Sequence, residues 1–161
     1  MEFNHGPDSG GSWADAEDDV RRTHPHWAEH ALSYRAHFER SLVGEVPGSV
    51  DLLRELNAAG VPMWGLTNWS DELWPHAPRL FPFLTELLEG VVVSGTEGLA
   101  KPDPAVYALT VARTGLPAAD LVFVDDKDAN VVAAREAGLD GIVFTGADDA
   151  RIALRQRGLP V

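Results

Sequence analysis

Three short stretches of this chain carry residues suited to chemistry on a charged group. Thr67-Asn68-Trp69-Ser70 follows an apolar run from Val61, and Lys101-Pro102-Asp103-Pro104 follows a second from Gly90. Asp125-Asp126-Lys127-Asp128 closes a third from Leu121, with Asn130 just beyond. Adjacent carboxylates are costly: like charges ~4 Å apart repel by roughly 4 kcal/mol at an effective dielectric near 20, about three pKa units. Magnesium removes that penalty, because it is a hard cation that prefers carboxylate and water oxygens. Taken alone, the acid pair reads equally well as a helix start, where acids are also favoured. Thr67 alone reads as a turn hydroxyl, and Lys101 as a loop lysine. The combination says more. A hydroxyl, a lysine and paired carboxylates, in that order, suit a phosphate held by hydrogen bonds and a cation beside a magnesium ion.

The elements that must position these groups alternate. Apolar runs at 61–67, 90–94, 121–125 and 141–145 read as strands. Helical patterns at 49–59, about 71–80, 104–114, up to Gly138 and at 148–157 separate or close them. Asp103 is placed to cap the 104–114 helix, with Pro104 in its first turn and Gly115 as its stop. Continuous apolar strands separated by helices imply an α/β fold with a parallel sheet covered on both faces. In such sheets functional groups gather at the carboxyl ends of the strands, where all three stretches fall. Two helices precede the first strand. Ser12 caps one, with acids early and arginines late. The other follows Pro25, with Trp27, Ala31, Tyr34, Phe38 and Leu42 on a single face. The eleven residues before Ser12 are rich in Gly, Pro and polar groups and read as a flexible lead-in.

The chain has 161 residues, enough for one well-cored domain. Its 25 acids against 13 lysines and arginines give a net charge of −12 with no basic stripe, which argues against a nucleic-acid binder. The absence of cysteine excludes disulfides, a thiol nucleophile and a cysteine-based zinc site. No apolar run approaches the ~20 residues needed to cross a bilayer, and the start lacks a signal-peptide pattern. The expectation is a soluble, cytoplasmic protein with no membrane association. His26, His30 and His37 flank the apolar stripe of the second helix and read as surface histidines rather than metal ligands. The five tryptophans read as core and pocket lining, and the acidic run 15–19 as a solvated helix start.

LTNWS, VVVSGTEGLAKPDPAVY and VFVDDKDANVVAAREAGL resemble motifs two, three and four of the haloacid dehalogenase-like hydrolase superfamily, in its branch with a small helical cap. The resemblance runs from about Ser12 to the C-terminus. It implies a Rossmann-like core at 47–161, a helical cap segment at 12–46 and a tail at 1–11. It also implies a magnesium-dependent phosphohydrolase acting on a small phosphorylated molecule through an aspartyl-phosphate. By matching position, Thr67 and the Asn68 backbone would hold phosphate oxygens, and Lys101 would steady the nucleophile and the phosphoryl group. Asp125 would ligate Mg2+ with Asp126 assisting, and Trp69 with cap residues would shape the leaving-group pocket.

The family's first motif, an Asp-x-Asp at the end of an apolar strand ahead of the cap, supplies the nucleophile. Nothing before Ser12 matches it, since Asp8 sits in GPDSGG without a strand ahead of it. The missing strand belongs between those ending at Thr67 and Asp125, so two open edges are expected there. A second chain (a homodimer), the tail, or direct pairing of the flanking strands would repair them. A hydrolase lacking its nucleophile is therefore the first reading. The alternative is a non-catalytic relative that binds a phosphorylated ligand or a partner protein. A receiver-type phosphotransfer domain is argued against, because there the acid pair follows the first strand rather than a late one.

Overall fold

Four short, largely apolar runs of four residues become the strands of a computed structural model that describes residues 3–161. Ahead of the first strand lie α1 (His5–Asp8), α2 (Trp13–Thr23), α3 (Ala28–Ala36) and α4 (Ser49–Ala58). Then come β1 (Trp64–Thr67), α5 (His76–Leu80), α6 (Phe83–Glu86) and β2 (Gly90–Val93). The chain continues through α7 (Ser94–Glu97), α8 (Pro104–Thr114), β3 (Val122–Asp125) and α9 (Asp128–Glu136). It closes with β4 (Asp140–Val143) and α10 (Ala147–Gln156).

All strand pairs are parallel, as the α/β pattern requires. β1 lies on β2 with Thr67 opposite Val93, and β3 lies on β4 with Asp125 opposite Val143. These are two separate two-stranded sheets. Direct pairing of β1 with β3, one of the expected repairs, does not occur. Nor does the tail supply a strand among its described residues: α1 is a helical turn in which Asn4 donates from Nδ2 to Asp8 Oδ2 at 2.9 Å.

Helices on both faces join the halves. Leu52 and Leu56 of α4 and Ala150 and Leu154 of α10 pack with Met63 and Ile142 over one face. Val106 and Tyr107 of α8 and Ala134 of α9 pack with Val92 and Leu139 over the other, where Leu66 and Phe123 join them from the two different sheets. Each fully buried side chain of this kind contributes about 1.5–3 kcal/mol.

The lead-in differs from expectation. From Phe3 onward it is packed: Pro7 is buried and the Phe3 ring meets Trp13 edge-on at 5.2 Å. The Ser94 hydroxyl donates to the Asp8 carbonyl. Gly10, at φ +93°, lies so close to Gly98 that a Cβ would sit 3.0 Å from its Cα. Met1 and Glu2 lie outside the described residues. Aromatic burial and glycine contacts, neither visible in composition, hold a segment whose polarity suggested a loose tail.

α2 begins as expected, with Ser12 Oγ accepting from the Asp15 amide. The continuous helix expected after Pro25 is instead broken. A 3-10 turn at Pro25–Trp27, α3, and a second 3-10 turn at Phe38–Ser41 replace it. Trp27 is 64% exposed, whereas Phe38 is buried with Trp13 and Leu73, and Tyr34, Leu42 and Trp69 pack around them. That cluster takes up the second half of the stripe, while Trp27 at its start faces solvent. The helix expected near 71–80 is shortened to α5, because Ser70 Oγ caps a turn at Leu73 and Pro75 delays the helix start.

Gly95 marks the tightest approach between the second strand's loop and the first's. Its amide donates to the Trp69 carbonyl at 2.9 Å, and a Cβ there would lie 2.5 Å from the Asp71 nitrogen. Those neighbours are backbone and cannot swing aside. Gly95→Ala is expected to destabilise the fold by about 1–3 kcal/mol, read as a lower urea midpoint with an unchanged slope.

Candidate functional site

The carboxyl ends of β1 and β3 converge on Lys101. Its ammonium donates to the Leu66 carbonyl at 2.7 Å and to Asp125 Oδ2 at 2.7 Å, and lies 5.7 Å from the centre of the Phe123 ring. Both side chains of the Lys101–Asp125 ion pair are nearly buried, at 10% and 6% exposure. An ammonium has three donors, so two held by protein oxygens leave one for a ligand.

Local sequence explains the placement. The Asn68 amide brackets the Lys101 backbone, with Nδ2 donating to its carbonyl and Oδ1 accepting from its amide, both at 2.8 Å. The Lys101–Pro102 peptide is cis. Two residues on, Asp103 accepts from the Ala105 amide at 2.8 Å and starts α8 as expected. At the end of β1, the buried Ser94 hydroxyl accepts from the Trp69 amide at 2.9 Å. The loop after the first strand is thus tied to the second.

Asp125 is the most constrained acid of the site. Oδ1 accepts from the Lys127 amide at 2.9 Å and from Asn130 Nδ2 at 2.8 Å. Burial pushes the carboxyl up, but the hydrogen bonds from Lys101, the Lys127 amide and Asn130, with the Lys101 charge, outweigh it and hold it below the usual carboxylate value. Tyr107 supports this arrangement from beneath. Its hydroxyl donates to the Asn130 carbonyl at 2.8 Å, and its ring meets Phe123 edge-on. Burial and the nearby Asp125 charge push the Tyr107 phenol up to about 12.

The structure therefore brings Lys101 and Asp125 into direct contact, with Thr67 one residue past the carbonyl that Lys101 holds. Asp126 is exposed beside Asp125, and neither its carboxylate nor the Thr67 hydroxyl is hydrogen-bonded among the described residues. Asp125 and Asp126 fit magnesium in donor chemistry, since that ion takes one or two carboxylates and fills its remaining positions with water or phosphate oxygens. No cluster of three acidic or histidine ligands occurs among the described residues.

Trp69 points elsewhere. It lines a cavity of about 250 Å3 between the N-terminal helices and the loop after β1, together with Trp13, Tyr34 and Phe38. Asn4, Asp8 and Ser41 also line it, and Asn68 links the cavity to the Lys101 bracket. Burial and the Asp8 charge raise the Tyr34 phenol above its ordinary value.

Tyr107 and Asp8 had little signal in the sequence, whereas Asn130 stood out just beyond the acid pair. Asn130 sits one helical turn past the acid pair, a spacing that places it beside Asp125. Tyr107 reads as an ordinary core aromatic, and Asp8 as part of a polar tail.

The depressed Asp125 value has a pH consequence. Its stabilising effect is complete above the unfolded value of about 3.9 and is lost as pH falls through the lower folded value. Asp125→Asn is expected to lower stability at pH 7 by up to roughly 3–5 kcal/mol, because it strands a buried ammonium. In urea titrations at several pH values the gap to wild type should narrow below about pH 4.

Comparison with known proteins gives the family of the chain. A sesquiterpene phosphatase of Aspergillus oryzae is 35% identical over 105 residues, covering 65% of this chain and 53% of its own length. Flavin mononucleotide hydrolase 1 of Arabidopsis thaliana is 30% identical, covering 76% of this chain and 49% of its own. A phosphoglycolate phosphatase of Pseudomonas fluorescens is 32% identical, covering 70% and 42%. The chain thus spans about half the length of the curated relatives it matches. Among solved structures, a haloacid dehalogenase family enzyme of Bacteroides thetaiotaomicron superposes with a TM-score of 0.72 at 20% identity, covering 95% of this chain and 77% of its own. The same enzyme in complex with magnesium and inorganic phosphate gives 0.69 at 20% identity, covering 89% and 75%. The profile for haloacid dehalogenase-like hydrolases matches residues 13–138, which span every element from α2 to α9, and the chain belongs to that family.

Proposed function

We propose that this chain carries the phosphate- and magnesium-binding part of a phosphohydrolase site for a small phosphorylated molecule. The observation that carries this reading is the Lys101 ammonium, fixed by Leu66 and Asp125 with one donor to spare at the ends of β1 and β3. On this reading that donor meets a phosphate oxygen, while the Thr67 hydroxyl and the Asn68 backbone hold others. Asp125 and Asp126 would hold magnesium, which supplies neutralisation of phosphate charge when bound. Trp69 would border the alcohol side of the ester. Relatives named for phosphatase or hydrolase activity support the phosphoester chemistry.

The attacking group is a separate matter. Asp125 is the only carboxylate bonded to Lys101 among the described residues, and three donors already hold it. A carboxylate so bound is a poor nucleophile, so the 161-residue chain alone is expected to bind phosphate without turning over its esters. This same feature favours the second reading, a relative that binds a phosphorylated ligand or partner without hydrolysing it. The unpaired edges of β1 and β3 are where a second copy would pair. Sedimentation equilibrium showing a monomer over a wide concentration range excludes that arrangement.

Calorimetric titration of the chain with inorganic phosphate should show binding that depends on magnesium. Lys101→Ala should weaken phosphate binding about 10- to 100-fold, the loss expected for one charge-assisted hydrogen bond. Asp125→Asn should weaken magnesium binding by at least about ten-fold. Equal phosphate affinity in the correctly folded Lys101→Ala variant overturns the site assignment. Robust magnesium-dependent hydrolysis of an aryl phosphate by the chain alone overturns the missing-nucleophile part only.

A further inference from the structure

Asn68 spends its side chain on the backbone of the site's lysine. Nδ2 donates to the Lys101 carbonyl and Oδ1 accepts from the Lys101 amide, each at 2.8 Å, between residues 33 positions apart. A carboxamide carries a donor and an acceptor at one tip, so this pair of bonds copies what a peptide group would make. Asn68 follows Thr67, and the ammonium of the same Lys101 reaches back to the carbonyl of Leu66, the residue before Thr67. Lys101 is thus held to the end of β1 at three atoms, N, O and Nζ, and to β3 at Nζ through Asp125.

Burial does not call for the two backbone bonds. Asn68 is exposed, and water can satisfy groups in such a place at little cost. What two bonds on one side chain supply instead is direction, because hydrogen bonds weaken steeply when bent. Among the described residues the Lys101 amide and carbonyl have no other hydrogen-bond partner. The course of the backbone at the lysine therefore rests on Asn68.

We propose that Asn68 is a positioning residue. Its side chain sets where the Lys101 backbone sits, and so where the unspent hydrogen of the ammonium points, without itself holding the phosphate. The inference rests on the phosphate-site reading above and adds the residue that aims its cation. The rival role is a direct contact, since Nδ2 has a second hydrogen.

The two roles separate in a double-mutant cycle. With magnesium present, calorimetric titration with inorganic phosphate should show about ten-fold weaker binding in Asn68→Ala, the order of loss that a small misplacement brings. Added to Lys101→Ala, the same substitution should change affinity by less than about two-fold, since no ammonium is left to aim. Equal losses in both backgrounds overturn the proposal in favour of direct contact.

Lysine reactivity gives a readout that needs no phosphate. Lys101 and Lys127 are the chain's two lysines, the first 10% exposed at its side chain and the second exposed, so Lys127 serves as an internal reference. On acetylation with an N-hydroxysuccinimide ester, read by peptide mass spectrometry, Asn68→Ala should raise the rate at Lys101 by at least about five-fold and leave Lys127 unchanged. The milder Asn68→Ser, whose hydroxyl can replace only part of the bracket, should fall between. Urea midpoints of both variants should stay close to wild type. A large drop in midpoint with Lys101 still protected means a merely structural role and overturns the proposal. Failure of inorganic phosphate to bind wild type overturns the phosphate reading; the aiming of Lys101 is then decided by its reactivity alone, and equal rates in wild type and Asn68→Ala overturn it.

Discussion

Everything at the carboxyl ends of the strands depends on a single ammonium group. Lys101 is attached to β1 through the Leu66 carbonyl and to β3 through Asp125, so it joins two sheets that share no backbone ladder. Such an ion pair holds only while both partners are present and their remaining polar positions are filled, because a buried charge left alone is expensive. The surrounding residues meet that condition in turn. Asn68 fixes the lysine's backbone, Asn130 and the Lys127 amide hold the other oxygen of Asp125, and Tyr107 holds Asn130. No buried side-chain polar atom among the described residues lacks a partner.

The rest of the fold supplies position without direction. Apolar packing of α4 and α10 on one face, and of α8 and α9 on the other, brings the two half-sheets together, but hydrophobic contact is insensitive to small rotations. Hydrogen bonds are not. Lys101 therefore sets the register between β1 and β3 that a continuous ladder would otherwise have set, and the site geometry is tied to the architecture through the same side chain.

Much of this was legible in the residues. The order hydroxyl, lysine, acid pair at successive strand ends picked out residues of which the structure brings Lys101 and Asp125 together, because strand alternation with helices forces those ends to one side of a parallel sheet. The Asp103 and Ser12 caps fell where their side-chain oxygens predicted. What could not be read were contacts between segments distant in the chain. Pro7 is buried, and Phe3 is half-buried against the rings of Trp13 and Tyr34, which polar composition hides. The helical stripe from Trp27 to Leu42 was read as one face, yet only its second half has a core to meet, so the helix breaks and Trp27 stays in water. Periodicity shows that a face exists; it does not show how much of that face is covered.

Asp125 also constrains how a cation can share the site. A carboxylate offers about four acceptor positions, and Lys101, the Lys127 amide and Asn130 use three, two of them on Oδ1. The remaining position lies on Oδ2, the oxygen already facing Lys101. A divalent ion and the ammonium would thus approach the same oxygen, and like charges that close repel unless anionic oxygens lie between them. Phosphate provides such oxygens, and exposed Asp126 provides another pair on the outer side. On the proposed reading, cation and phosphate binding would be mutually supportive, each relieving a repulsion that the other would face alone.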